Sequence, residues 1–469
     1  MPTRHTASFK QGRGGQRGAA LMVILVLLVV SVAAILVNSL TTTSLKNARK
    51  AQTAAALAQA KEALIGYAVT YGDTHSGQVH GYLPCPDYGG GNPEGSAEPV
   101  CGSQNVSVIG RLPWATLDLS TLRDGDGECL WYAVSGTYKN NPPTGLMNWD
   151  TNGQFQTYSS DGTLLPSQVV AVIIAPGATL SGQNRSGTSA PICGGNYTAS
   201  NYMDNDTVHG INNSNVSTGN FIQGTSGSNI INDQVVFITR QDIWNAVQKR
   251  TDFQSVNPTI NPLKKLTYQV ALCLANYGNN NQPSDNYSLP WAAQLALSDY
   301  SVDTNYNDTA NLLAGRVPYL VGTSKSVTYN AYSNLMTTAS CGGAWASVDP
   351  WWNNWKDHLF YAVSQAYRPT SYTDQYCGTC VQVNSSQYAA VVMFAGPGLI
   401  PPLSTLNQTR VNKSVVTDYL ESPNSSNVSA ASGSGNYSSL PASNVFNDVV
   451  CVINPNNYWT HQGLTVNCL

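Results

Sequence analysis

Apolar positions along the chain follow three patterns. The first is unbroken: Ala19 to Val37 (AALMVILVLLVVSVAAILV) carries no charge. At about 19 residues it matches the roughly 20 an α-helix needs to cross a bilayer, so the sequence predicts a transmembrane segment at 19–37. The second is periodic. From Asn38 to Tyr71, residues such as Leu40, Leu45, Ala48, Ala51, Ala55, Ala58, Leu64 and Ala68 recur at steps of three and four, giving one apolar stripe on a helix that Gly72 stops. Continuous from Ala19, that helix is on the order of 80 Å long. The third pattern is a series of short runs rich in β-branched and aromatic residues, such as Leu130–Ser135, Gln168–Ile174 and Val235–Thr239. Gly, Pro, Asn or Asp bound each run, which predicts strands.

The second half repeats this order. Leu263–Gly278 (LKKLTYQVALCLANYG) parallels KEALIGYAVTYG at the end of the long helix, and Asp357–Tyr367 (DHLFYAVSQAY) matches Glu128–Tyr138 (ECLWYAVSGTY). Tyr388–Gly398 matches Gln168–Gly177, and Phe446–Ile453 (FNDVVCVI) matches Ile231–Ile238 (INDQVVFI). Ser288–Leu295 (SLPWAAQL) parallels either YLPCPD or LPWATL of the first half, and the sequence leaves that choice open. Matches in one order point to a duplicated module. Each module is expected to pack a helix on a small antiparallel sheet, an α+β arrangement, with Arg240–Arg250 as a bridging helix and 251–262 as a linker.

What precedes the apolar run has the form of a processing signal. Residues 1–18 carry Arg4, Lys10, Arg13 and Arg17 with no acidic residue, and Gly18 sits at the border. A basic leader ending in glycine, with the apolar segment retained as the start of a long helix, resembles the class III leader of type IV pilins and type II secretion pseudopilins. The order KEALIGYA, YLPCPD, GRLPWATL, LWYAVS over roughly residues 16–180 is similar to a group of pilin-like proteins.

The resemblance implies a leader at 1–18, a helix at 19–72, a first pilin-like module at 73–250 and a second at 251–469. It implies cleavage by prepilin peptidase after Gly18, N-methylation of Ala19, and other pilin or pseudopilin subunits as partners. It also implies a single pass through the bacterial inner membrane with the globular part in the periplasm before assembly, and then a place in a filament or at the cell surface. The basic leader agrees with the positive-inside rule. Most pilins carry glutamate five residues into the mature chain, where this sequence has Val23. The large pseudopilin that caps type II secretion tips also lacks it, so the resemblance implies a minor subunit at or near a filament tip.

Composition adds limits. Charged residues make up 10% of the 469 and the net charge is −3, so no basic surface exists to hold nucleic acid. Ten cysteines in an exported chain favour disulfides. Cys85 with Cys101 brackets one turn-rich loop; Cys377 with Cys380 and Cys451 with Cys468 are further candidate pairs. Asp124, Asp126 and Glu128 alternate as oxygen ligands of calcium can, and Asp204 and Asp206 invite the same reading. A solvated acidic turn is the simpler account, and calcium is the one candidate cofactor. Trp345, Trp351, Trp352 and Trp355 offer aromatic faces for a ligand, with core packing as the plainer role. No hydrolase, P-loop or zinc motif is present. The expected function is therefore a non-enzymatic filament subunit, with a tip adhesin binding a surface or glycan through the C-terminal module as the alternative. A membrane-anchored periplasmic hydrolase is the weakest reading.

Overall fold

The computed structural model describes residues 16–143, 145–165, 168–225, 227–280, 287–321, 333–369, 377–455 and 463–469, and within the first helix it describes side chains from Thr43 on. Helix α1 runs over Gln16–Thr74. Four strands follow in one antiparallel sheet: β1 (Val108–Arg111), β2 (Trp131–Val134), β3 (Val169–Ala175) and β4 (Gln234–Thr239), in that spatial order. Helix α2 (Arg240–Gln248) starts from β4 with Thr239 and Asp242 forming a capping box. Helix α3 (Pro262–Asn280) opens the second half. Its sheet comprises β5 (Ala314–Arg316), β6 (Leu359–Val363), β7 (Ala390–Phe394), β8 (Val449–Asn454) and β9 (Thr465–Cys468), again in chain order.

Both sheets are covered on both faces. In β3 all seven residues are buried, and in β7 all five. Side chains alternate across a strand: Val170, Ala171 and Ile173 join the core under α1, while Val169, Val172 and Ile174 pack with Tyr202 and Phe221 on the other side. A strand buried on both faces reads as an unbroken apolar run, which is why VVAVIIA and AVVMF lack polar alternation. The second sheet repeats the arrangement, with Phe360, Ala362, Val391 and Met393 packed beneath Tyr419, Leu420 and Tyr437.

This corrects the expected architecture. A long helix with a transmembrane first half on one small sheet per module is not what the chain forms. It is a mixed α and β protein, with four further sheets of two or three strands among the described residues. The physical reason lies in the polar stretches: residues 176–225, 227–233 and 395–448 supply the side chains that pack over the outer face of each sheet. Among the described residues no helix is long and apolar enough to cross a membrane. The expected span at 19–37, with Gly18, Ala19 and Val23, lies outside the residues whose side chains are described. The expected single-pass inner-membrane and periplasmic placement is corrected with it. Five disulfides, Cys85–Cys101, Cys129–Cys193, Cys273–Cys341, Cys377–Cys380 and Cys451–Cys468, mark an oxidising compartment.

The two halves share atomic detail. Tyr132 Oη donates to Pro84 O (3.2 Å), as Tyr361 Oη does to Pro290 O (3.1 Å). Leu83 N donates to Tyr138 O and Leu289 N to Tyr367 O, each at 2.8 Å. Leu289-Pro290-Trp291 is thus the counterpart of Leu83-Pro84-Cys85. The partner of Gly110-Arg111-Leu112-Pro113-Trp114 is Gly315-Arg316-Val317-Pro318-Tyr319.

Candidate functional site

Each half holds the same buried polar network on the outer face of its sheet. In the first, the Asp204 carboxylate accepts from Asn232 N (2.7 Å), Asp233 N (3.0 Å) and Gln183 Nε2 (2.8 Å). The Asp233 carboxylate accepts from Asp204 N (2.8 Å) and Asn213 Nδ2 (2.9 Å). In the second, Glu421 accepts from Asn447 N (3.0 Å), Asp448 N (3.2 Å) and Gln408 Nε2 (3.0 Å), and Asp448 accepts from Glu421 N (3.3 Å) and Asn424 Nδ2 (2.9 Å). Burial, then the neighbouring carboxylate, pushes Asp233 and Asp448 well above the usual carboxylate range.

Arginines complete the pattern. Arg111 lies over the rings of Trp131 and Tyr202, and Arg316 over those of Phe360 and Tyr419, at 4.1 to 5.5 Å from ring centroids. Arg185 donates to Gly177 O (2.7 Å) and Arg410 to Gly396 O (2.6 Å), stacking on Tyr202 and Tyr419 respectively. None of these residues except Asp204 stood out in the sequence reading. The signal was present as Gln-x-Arg at 183–185 and 408–410, and as Tyr202-Met-Asp204 against Tyr419-Leu-Glu421, too short to notice without the flanking strands aligned.

A different cluster occupies the seam between the halves. His358 is fully buried; its Nδ1 lies 2.9 Å from Asp357 Oδ1, and its Nε2 lies 2.9 Å from Asp150 Oδ2, off the line of a hydrogen bond. Arg410 reaches Asp150 at 3.5 Å, and Lys413 pairs with Asp357. Burial alone would raise both aspartates; His358, with Lys413 at Asp357 and Arg410 at Asp150, outweighs it and holds both below the usual range. A carboxylate thus lies near each ring nitrogen of His358. Beside this cluster a cleft of about 620 Å³ is lined by Asp150, Arg240, Trp244, Gln408 and Arg410, among others.

The sequence-derived candidates fall elsewhere. Asp124 accepts from Asp126 N (2.9 Å), Glu128 N (3.0 Å) and Gly177 N (2.8 Å), while Asp126 pairs with Arg49 (3.1 Å) and Glu128 with Arg185 (3.3 Å). These carboxylates are spent on protein donors and face different ways. Among the described residues no group of three or more His, Cys, Asp or Glu could hold a metal. The turn instead braces α1: Gln52 Nε2 donates to Asp124 O (2.9 Å) and Gly125 N to Thr53 Oγ1 (2.9 Å). Asp206 is engaged by Val208 N (2.8 Å) and His209. Trp345, Trp352 and Trp355 are at most 2% exposed and belong to the core; Trp351 is partly buried beside Phe253 and Trp355. Cys377 and Cys380 bridge each other ahead of a strand, as do Cys85 with Cys101 across their loop.

The most exposed stretch of α1 is the start of its described part, which meets the body only through the Asp124–Glu128 turn among the contacts above. From Thr43 to Gln52 every residue is exposed, including Leu45 at 63%, and burial begins in earnest only at Ala56. Compared with known proteins, the chain matches no family model, no curated protein and no solved structure.

Proposed function

We propose that the chain is a minor pilin or pseudopilin, a subunit of a type IV pilus or type II secretion filament, matured by prepilin peptidase after Gly18. The observation that carries this reading is α1 itself. Its described N-terminal portion is exposed from Thr43 to Ala48, about a turn and a half or roughly 9 Å, before Arg49 and Gln52 meet the Asp124–Glu128 turn. A helix of that kind is stabilised by packing against other helices more than by its own propensity. The basic leader and the helix that continues from it supply the processing half of the argument, and the disulfides fit an exported subunit. Valine at position 23, where most pilins have glutamate, supports a filament end over the shaft.

The test is the mature N-terminus. Coexpression with a prepilin peptidase is expected to give a chain beginning at N-methylated Ala19, and omission of the peptidase is expected to leave residues 1–18 attached. Maturation at another residue, or without the peptidase, would overturn the assignment. An adhesive role for the tryptophans gains no support, because three of the four indoles are sealed in the core.

A further inference from the structure

Strand order exposes a difference between the halves. The second sheet ends in β9, which covers the outer edge of β8 and is bridged to it by Cys451–Cys468. The first sheet ends at β4, which among the described residues pairs only with β3. Ser135 N donates to Val170 O, so alternate residues of β3 (Ala171, Ile173, Ala175) face β4 and bond Ile238, Val236 and Gln234. Val235 and Phe237 therefore turn their backbone groups away from the sheet. Their counterparts, Val450 and Val452, are the ones that pair with β9: Leu469 N donates to Val450 O, and Val452 lies opposite Asn467.

The edge is open where the second half is closed. Between β4 and α1 runs a groove of about 600 Å³, lined by Lys50, Leu57, Lys61, Gln223, Val235 and Val236 among others. Gln223 Oε1 accepts from Val235 N at 2.8 Å, which leaves Val235 O and both backbone groups of Phe237 with no backbone partner among the described residues. Those are the groups whose counterparts hold β9. Edge strands template the pairing of another chain unless they are short, charged or covered.

The charges give the occupant a direction. Lys61 pairs with Asp242 just beyond the C-terminal end of β4 (3.1 Å), so Lys50, eleven residues and about 16 Å back along α1, lies toward the Gln234 end. Lys50 is exposed and forms no ion pair among the described residues. A strand antiparallel to β4 would bring its C-terminal end there.

We infer that the α1–β4 groove is a strand-acceptor site, which takes an extended segment of another protein, apolar at alternate positions and acidic at its C-terminal end, as an added antiparallel strand. The site stands on the internal comparison of the halves and holds whether or not the chain enters a filament. Recognition is by main-chain hydrogen bonds, with side-chain pockets setting preference.

The second half supplies the probe, a synthetic hexapeptide amide with the sequence of residues 464–469, whose cysteine stands in the Cys468 position. In the full chain Val236→Cys places a thiol where Cys451 stands in the second half, while all ten native cysteines remain in bridges. With the peptide cysteine supplied as its disulfide with thionitrobenzoate, attack by the protein thiolate on the peptide sulfur releases the thionitrobenzoate anion, and the mixed disulfide is expected to form about tenfold faster with V236C than with V235C. N-methylation of the peptide asparagine, which would face Phe237, is expected to abolish that preference. Replacing the last leucine by aspartate should raise the rate several-fold at low salt, and Lys50→Ala should remove the gain. Independently of any variant, the same peptide added to the wild-type chain should slow hydrogen exchange at the Phe237 amide. Equal rates at positions 235 and 236, indifference to N-methylation, or unchanged exchange at Phe237 would overturn the proposal. Preferential V236C–V236C dimers would overturn it too, by assigning the edge to a second copy.

Discussion

Burial and a neighbouring carboxylate raise Asp233 and Asp448 well above the usual carboxylate range, and this sets a pH dependence. The folded chain holds each proton more tightly than the unfolded chain, where the group titrates near about 4. Their contribution is therefore complete below that range and declines as the pH rises through the elevated folded value. Asp233→Asn keeps an acceptor for Asp204 N and Asn213 and no longer ionises. It is expected to stabilise the protein at pH 8 by about 1–3 kcal/mol and to have almost no effect near pH 4, as calorimetric melting at the two pH values would read. Asp357 behaves in the opposite sense. Held below the usual range, it contributes above about pH 4 and loses that contribution as the pH falls. Asp357→Asn leaves the buried His358 and the adjacent Lys413 short of a counter-charge, and removing one partner of a buried pair costs about 3–5 kcal/mol; urea unfolding at pH 7 measures it. Neither role could be read from the chain alone. Asp233 sits in an INDQ stretch that looks like a strand lead-in, and nothing near Asp357 in sequence announces Asp150 or Lys413.

At the scale of elements, the Asp124–Glu128 turn sets how α1 leaves the globular body. Gly125 packs so closely that a Cβ there would meet Arg49 O at 2.3 Å, a backbone atom that cannot swing aside. Gly125→Ala is therefore expected to push the turn off the helix and cost about 1–3 kcal/mol. Hydrogen exchange should locate the loss, speeding amides around residues 49–60 while leaving β6–β8 unchanged. A uniform change across both halves would contradict this bracing role. In sequence the turn reads as a calcium candidate, because alternating carboxylates look alike whether they face an ion or backbone N–H groups. Strands β2, β3, β6, β7 and β8 were legible as apolar runs, since burial on both faces leaves little room for polar residues, and the partly buried β4 was legible from its β-branched and aromatic residues. The layers over their outer faces were not. Those layers are held by single Asn, Gln and Tyr side chains scattered through polar stretches, and no period in the sequence marks them.

On the scale of the whole molecule, the repeat suggests two modules while the packing joins them. One hydrophobic cluster includes Leu64, Tyr132 and Ile173 from the first half with Leu274, Tyr361 and Val392 from the second. Trp149 meets Trp355 edge to face at 4.4 Å, and Trp244 meets the same indole at 5.4 Å. Met147 N donates to Asn354 Oδ1 and Asn148 Nδ2 to Asn354 O, both at 2.8 Å, so the backbone of one half is tied to the other. A shared core should make unfolding cooperative across the chain. Calorimetry is expected to give one transition, with equal van't Hoff and calorimetric enthalpies. Trp355→Ala removes the indole on which both Trp149 and Trp244 pack, at a cost of about 3–5 kcal/mol. Because the loss falls mainly on the seam, touching the second sheet only at Phe394 among the ring contacts, it should lower the transition and split it in two. Two transitions in the wild type would show that the halves fold independently despite the shared core. A single lowered transition in Trp355→Ala would show that the coupling runs through more of the interface than this one side chain.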